Sequence, residues 1–404
     1  MRKTINFTAI NGWLKAVGVT FAIVTACLPA NAQRNANVAT IEITTADELM
    51  YIGTDIQTMR ASYVLMNDIE VSKWQPIGFS GVFDGNGHTI TITSMADTLH
   101  ATTEKQLRTI GISNYYIDIP ICYVGLFSTL KGTVKNLRVE GEISIETLHT
   151  SVTASMNGAT FTIKTINDNQ SSVIAGGITG VNNGRIQNCI SNLNINIAGN
   201  KKTILVSNIW SRDPLIGIRS VSIGGIAGIN NKVILNCCVF GDIISMGDGT
   251  KHLGGITGDN SGNIFFSYTL GSVSAFGEAD WSYAGGITGI NGSGAALVNC
   301  VAMNSSITVE GNSGKNFGAG ALIGTGKNAN KHKSYAVHEI TISATNNPNS
   351  PRPELMVSTP TTQDENFWKR KIKGYDISFR FGTNDERPWI WDGKVGRPRL
   401  FWEK

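Results

Sequence analysis

Chemistry on a polysaccharide needs grouped carboxylates: two flanking the scissile bond, or an Asp cluster holding Ca²⁺ beside a basic side chain. In this 404-residue chain the strand-borne acids stand singly, as Glu140, Glu142, Asp242, Asp259 and Glu310, with no repeated acidic position. Asp84 and His88 lie in FDGNGHTI, a turn phrase in which an Asp caps backbone amides, so a structural role is expected of them. His338-Glu339-Ile340-Thr341-Ile342 begins like the zinc-peptidase HExxH but lacks the second His, and it reads as a strand, not the helix that puts both ligands on one face. There is no GxSxG, phosphate loop or EF-hand, and no cysteine sits in a CxxC pair. No catalytic residue, metal or cofactor is therefore assigned. What remains is stacking chemistry. Phe265, Tyr268, Phe276, Trp281 and Tyr283 fall within one short stretch, with Trp210 further upstream. Tyr and Trp stack an apolar face on a sugar ring or protein surface while their polar edge stays wet.

Those residues need a frame, and composition narrows the choice. Charged residues are only 16% and glycines number 45, and no run has helical period. That profile suits an elongated all-β repeat protein with one extended core. Residues 1–32 read as an export signal: Arg2, Lys3 and Lys15 precede the apolar AVGVTFAIVTA, and Ala30-Asn31-Ala32 offers a cleavage site. A lipid-anchored alternative starts at Cys27. Three cations leave with the signal, so the formal charge of +4 falls close to neutral and gives no argument for nucleic acid. No other stretch reaches the ~18 apolar residues of a membrane helix.

The repeat is GGITG at Gly176, GGIAG at Gly224, GGITG at Gly254 and Gly285, and a worn GALIG at Gly320, with spacings of 48, 30, 31 and 35. Each is followed by a phrase such as GRIQNC (184–189), and a weaker early copy holds TVKNL (133–137). Three short strands per unit of about 31 residues, with Gly and Asn corners, predict coils of a parallel β-helix over residues 61–347. Paired glycines are expected where positive φ and close backbone approach are needed. Asn136, Asn188, Asn236 and Asn299 should stack as a ladder of side-chain amides, broken where Phe266 takes the slot. Cys189, Cys237 and Cys300 occupy the next slot and read as small buried hydrophobes.

A stack needs its ends covered. TADELMYI (45–52), with Thr44 or Thr45 as N-cap, predicts a short helix within an N-terminal cap, residues 33–60. Residues 348–404 hold Trp368, Trp389, Trp391 and Trp402 and are expected to cap the last coil. Insertions 146–172 and 199–219 should emerge as loops on a face.

YVLMNDIEVSKWQPIG, FSGVFDGNGHTITI, VGLF with TVKNL, and the GGITGVNNGRIQNC series together resemble the GLUG-motif proteins exported by Bacteroidota-type bacteria; WIWDGKVGRPRL (389–400) is similar to the tail that closes such chains. The resemblance covers roughly residues 45–345 and the tail. It implies a right-handed parallel β-helix outside the cell or at its surface, adhesin-like or accompanying peptidase domains, with no catalytic residues to carry over. The expectation is thus a monomeric exported protein binding glycan or a surface protein, with a β-helical polysaccharide lyase or glycoside hydrolase as the alternative.

Overall fold

The structure, a computed structural model, describes residues 40–97, 99–110, 113–145, 152–156, 159–163, 172–198, 203–206, 215–218, 220–247, 249–277, 281–311, 316–326, 330–344 and 355–403. The expected signal, Cys27 and Trp210 lie outside the described residues.

One winding shows the construction. Ser172–Gly176 is a strand; the chain turns at Gly177 and Ile178 into Thr179–Asn182, turns again into Arg185–Gln187, bends at Asn188, and runs on as Ile190–Ile197. Each strand pairs in parallel with its counterpart in the next winding, so that Gly176, Gly224, Gly254, Gly285 and Gly320 stand in one file. Four columns result, here sheets I to IV in the order the chain visits them. The architecture is all-β, repeating and parallel-stranded, in the manner of a β-helix. Four strands make a winding where three were expected. The reason is that GGITG straddles a corner: its first Gly closes a sheet I strand and its Thr opens a sheet II strand.

The core is built from inward columns, among them Ile186, Ile234, Ile264 and Leu297 of sheet III, all fully buried. Each contributes roughly 1.5–3 kcal/mol through removal from water. The slot two residues after each of sheet III's last strand residues faces inward as well, and Cys189, Cys237 and Cys300 fill it as expected, free and buried. Their thiols donate to carbonyls two residues back, as Cys237 does to Leu235 at 3.3 Å, and Ser267 does the same to Phe265 at 2.8 Å.

The paired glycines meet one half of the expectation, close backbone approach, and not the other. None of Gly176, Gly177, Gly224, Gly225, Gly254 or Gly255 has positive φ. They are required by proximity: a Cβ on Gly254 would lie 2.1 Å from the Thr257 carbonyl oxygen and 2.5 Å from the Thr288 Cα. Positive φ belongs instead to the bend after sheet III, at Asn136, Asn188, Asn236, Phe266 and Asn299, all between 49° and 55°. Asn tolerates that left-handed region; Phe pays about 1–2 kcal/mol to enter it.

At the start, Thr40–Ile43 pairs in parallel with Ser62–Leu65, so a strand as well as a helix begins the stack. Helix α1 (Ala46–Tyr51) has the expected cap: the Thr45 hydroxyl accepts from the Glu48 amide, and the Glu48 carboxylate accepts from the Thr45 amide. Leu49 and Ile52 are fully buried against the first windings.

The C-terminal expectation needs correction. Among the described residues, Met356–Val357 adds to the edge of sheet IV at the far end, beside Ala336 and Val337. After two short helices, α2 (Thr359–Thr362) and α3 (Glu365–Trp368), the tail runs back along the outside of the stack over the Asn file. The Ser378 amide donates to Asn299 Oδ1 at 3.2 Å, Trp389 Nε1 to Asn236 Oδ1 at 3.1 Å, Asn188 Nδ2 to the Asp385 carbonyl at 3.2 Å, and Asn136 Nδ2 to Asp385 Oδ1 at 3.1 Å. Farther along, Arg138 pairs with Glu403 at 3.0 Å. The four Trp thus serve a lengthwise strap: Trp368 and Trp389 are fully buried, and Trp391 and Trp402 are half-buried against the core.

The two insertions are hairpins where described, Val152–Met156 with Ala159–Ile163 and Thr203–Val206 with Leu215–Ile218. A third hairpin, Ala101–Ile110 with Ser113–Val124, was not foreseen, and its second strand continues into sheet I beside Ser172–Gly176.

Candidate binding groove

Sheets I and II meet at the GG corner in a concave seam, here called the groove, where side chains from their outward faces touch: Ile174, Val181 and Ser222 are buried in it, and Tyr123, His252, Asp259 and Tyr283 are half-buried. The third Gly of each phrase makes this closeness possible: a Cβ on Gly258 would lie 2.3 Å from Ser222 Oγ, and one on Gly228 2.6 Å from Ile174 Cγ2. One wall is the outward column of sheet I, Tyr123, Ile174, Ser222, His252 and Tyr283, in register from winding to winding. The other is the column of sheet II, Thr129, Val181, Ile229, Asp259, Ile290 and Thr325.

The groove changes character along its length. At the early windings Ile121, Ile174 and Val181 form an apolar cluster separate from the main core, with Tyr123 and Ile229 packed on it. At the later windings His252 reaches across to Asp259, Nδ1 to carboxylate at 2.9 Å, with both side chains about a quarter exposed or less. The Tyr283 ring lies 6.0 Å from the His252 ring, at 37° to it. Desolvation pushes the Tyr283 phenol above its ordinary range, so it stays a neutral donor.

Of the aromatic residues singled out in sequence, three share this region. Trp281 and Tyr283 lie two apart on one strand and point outward, Trp281 at 45% exposure, and Phe276 ends the preceding sheet IV strand, half-buried. Met246, the residue before Phe276 along the stack, is also exposed. Phe265 sits apart on sheet III, near Phe266. Tyr268 is a correction. It is fully buried beneath the tail, packed on Trp368 and Trp389, and its hydroxyl donates to the Pro398 carbonyl at 2.7 Å while accepting from Arg397 at 2.7 Å. Thr269 takes the inward position of this sheet IV strand, so Tyr268 faces outward, where the tail covers it, and it offers nothing to a ligand.

The structural ladder forms as expected at its start: Asn188 Nδ2 donates to Asn136 Oδ1 at 3.2 Å and Asn236 Nδ2 to Asn188 Oδ1 at 3.0 Å. Asn299 stands in the same file but past Phe266, where the strap supplies its partner. A second, unbroken ladder went unread in the sequence: Asn182, Asn230, Asn260 and Asn291, buried, linked Nδ2 to Oδ1 at 2.8, 2.8 and 2.7 Å. Its signal was present, an Asn six residues after the first Gly in GGITGVN, GGIAGIN, GGITGDN and GGITGIN.

The other candidate acids are accounted for locally. Asp84 and Asp385 share the Lys135 ammonium at 2.9 Å each, tying the strap down. Glu339 follows strand Tyr335–Val337 in a turn, and its carboxylate accepts from the Thr359 amide at the start of α2. The segment after His338 is therefore a turn at its start and a strand only from Thr341. Among the described residues no three His, Cys, Asp or Glu side chains converge on a metal-sized site. Among the described residues, too, no helix is long and apolar enough to cross a membrane.

No family model matches the chain. A search of curated proteins likewise returns no match. Among solved structures the chain is similar to a putative immunoglobulin A1 protease from Bacteroides ovatus, with a TM-score of 0.53, 18% identity, and 91% of this chain covering 94% of that one. At that identity the likeness speaks for the fold.

Proposed function

We propose that this chain is an exported right-handed parallel β-helix of the GLUG-motif type, working at the cell surface or outside the cell as a binding protein for an extended glycan or protein partner. The observation that carries the reading is the long groove between sheets I and II. It repeats one wall position every winding, holds an exposed Trp281 at its polar end, and has the His252–Asp259 pair bridging its walls. A fixed spacing of about 4.8 Å between like positions suits a partner that is itself repetitive. The likeness to a protein named for immunoglobulin A1 proteolysis supports the fold part of the reading, and its activity is not transferred.

The test is to probe the purified chain on a glycan array and against serum and matrix proteins, immunoglobulin A1 included, and then to examine each bound partner by mass spectrometry. Saturable binding with the partner intact supports the reading. Shortened glycan, unsaturated uronate ends or a cleaved polypeptide would replace it with a lyase, a hydrolase or a peptidase.

A further inference from the structure

Resting on that reading of the groove, we infer that Trp281, Tyr283, His252 and Asp259 form a subsite for a neutral pyranose, stacked on aromatic rings and hydrogen-bonded at its edge by the His252–Asp259 pair. Position comes first. Burial alternates along Trp281–Gly285, so Trp281 and Tyr283 share the outward face about 6.6 Å apart along the strand, one exposed and one half-buried. His252 is the register partner of Tyr283 in the preceding winding, and Asp259 is brought beside it from the opposite wall. Tyr283, His252 and Asp259 therefore meet at one place from three strands, with Trp281 two residues from Tyr283 on the same outward face, whereas the early end of the same groove is closed by its own apolar cluster.

Charge decides the ligand class. In the two wall columns His252 and Asp259 are the acid-base pair, facing each other at 2.9 Å; with either charge state of the imidazole the pair has no net positive charge, so the subsite has nothing to attract a phosphate or a uronate. What it offers is edge chemistry. Beside the Asp259 carboxylate at Nδ1, His252 Nε2 accepts from a hydroxyl when the imidazole is neutral and donates to one when it is protonated, and in both states the free lone pairs of Asp259 accept another. The Tyr283 hydroxyl can donate or accept. Aromatic faces beside a small set of convergent polar groups match a sugar ring, whose C–H face is apolar and whose rim is hydroxylated.

The test is isothermal titration of the full chain with cellohexaose, chitohexaose, mannohexaose and laminarihexaose, with hexagalacturonate as the acidic comparison. We expect saturable binding of at least one neutral hexasaccharide. Affinity should fall at least tenfold in Trp281→Ala and in Asp259→Ala, and hold within twofold in Phe265→Ala, which lies on sheet III. Circular dichroism confirms that each variant is folded, and Trp281 is exposed enough that its loss leaves the core untouched. Binding that survives Trp281→Ala, or that is confined to hexagalacturonate, overturns the subsite and leaves the binding role of the groove standing. Absence of binding to every neutral hexasaccharide, with a protein partner retained along the groove, likewise overturns the subsite alone.

Discussion

At the scale of single residues, small polar groups inside the stack matter because each stands in a file with its equivalents. Asn188 is fully buried, holds a left-handed backbone at φ 54°, donates to Asn136 and to the Asp385 carbonyl, and accepts from Asn236. Asn188→Ala strands two of those partners and adds backbone strain, so we expect a loss of about 2–4 kcal/mol in urea unfolding, well above the ~1 kcal/mol of an ordinary single hydrogen bond. The thiols give a pH dependence. Burial pushes Cys300 up to about 12 from an ordinary 9.0 and holds Cys237 well above its ordinary value too, so both are neutral thiols in the folded chain. Because the folded value is the higher one, the stabilisation is full below pH 9 and drains away as pH rises toward 12. The denaturation midpoint should therefore fall between pH 8 and pH 10.5. Cys300→Ser should blunt that fall, and Ser already serves this slot at Ser267 and Ser334. At pH 8 the native thiols should resist iodoacetamide and react once the chain is unfolded.

Among the elements, the corner between sheets I and II leaves no room for an added methyl. Gly254→Ala drives a methyl into two backbones at 2.1 and 2.5 Å, whereas nothing lies within 4 Å of a Cβ on Gly294. We expect the first to cost more than 3 kcal/mol or prevent folding and the second to change the melting temperature by less than 2 °C, a contrast that thermal scans of the two variants will check. This pair also shows what the sequence discloses. The period, the Asn and Cys files and the capped helix are legible because a repeat prints each local requirement several times over. The reason for the glycines is not, since GG is the spelling both of positive φ and of backbone crowding, and only the distance to the next winding separates them. The fourth strand was hidden likewise, because a corner inside GGITG leaves no Pro or Asn to mark it. The groove is half legible: Trp281 and Tyr283 stand out by type, but His252 and Asp259 are unremarkable until a winding of the chain sets them 2.9 Å apart. Tyr268 misled because the tail that covers it lies some 100 to 130 positions away in the chain.

For the molecule as a whole, the tail is the part that a sequence does not place, since its contacts with the stack join residues separated by 41 to 265 positions and repeat nothing. Trp389 is its anchor, fully buried, stacked near Phe379 at 4.9 Å and Tyr268 at 5.7 Å, and bonded to Asn236. Trp389→Ala should cost about 3–5 kcal/mol and expose the Asn file, measurable as earlier urea unfolding and faster amide exchange at Asn188 and Asn236.

The strap also fixes how many windings this protein can have. Its contacts reach the levels of Tyr335, Asn299, Asn236, Asn188 and Lys135 through Asp376, Ser378, Trp389 and, for the last two, Asp385, so the tail is matched to a fixed set of levels in the stack. Duplicating or deleting a single unit would move every level beyond the change by about 4.8 Å and leave half of the anchors a step out of phase. Most solenoids grow or shrink by whole units at little expense; here the closing segment works as a tally stick, and copy number can change only together with its length.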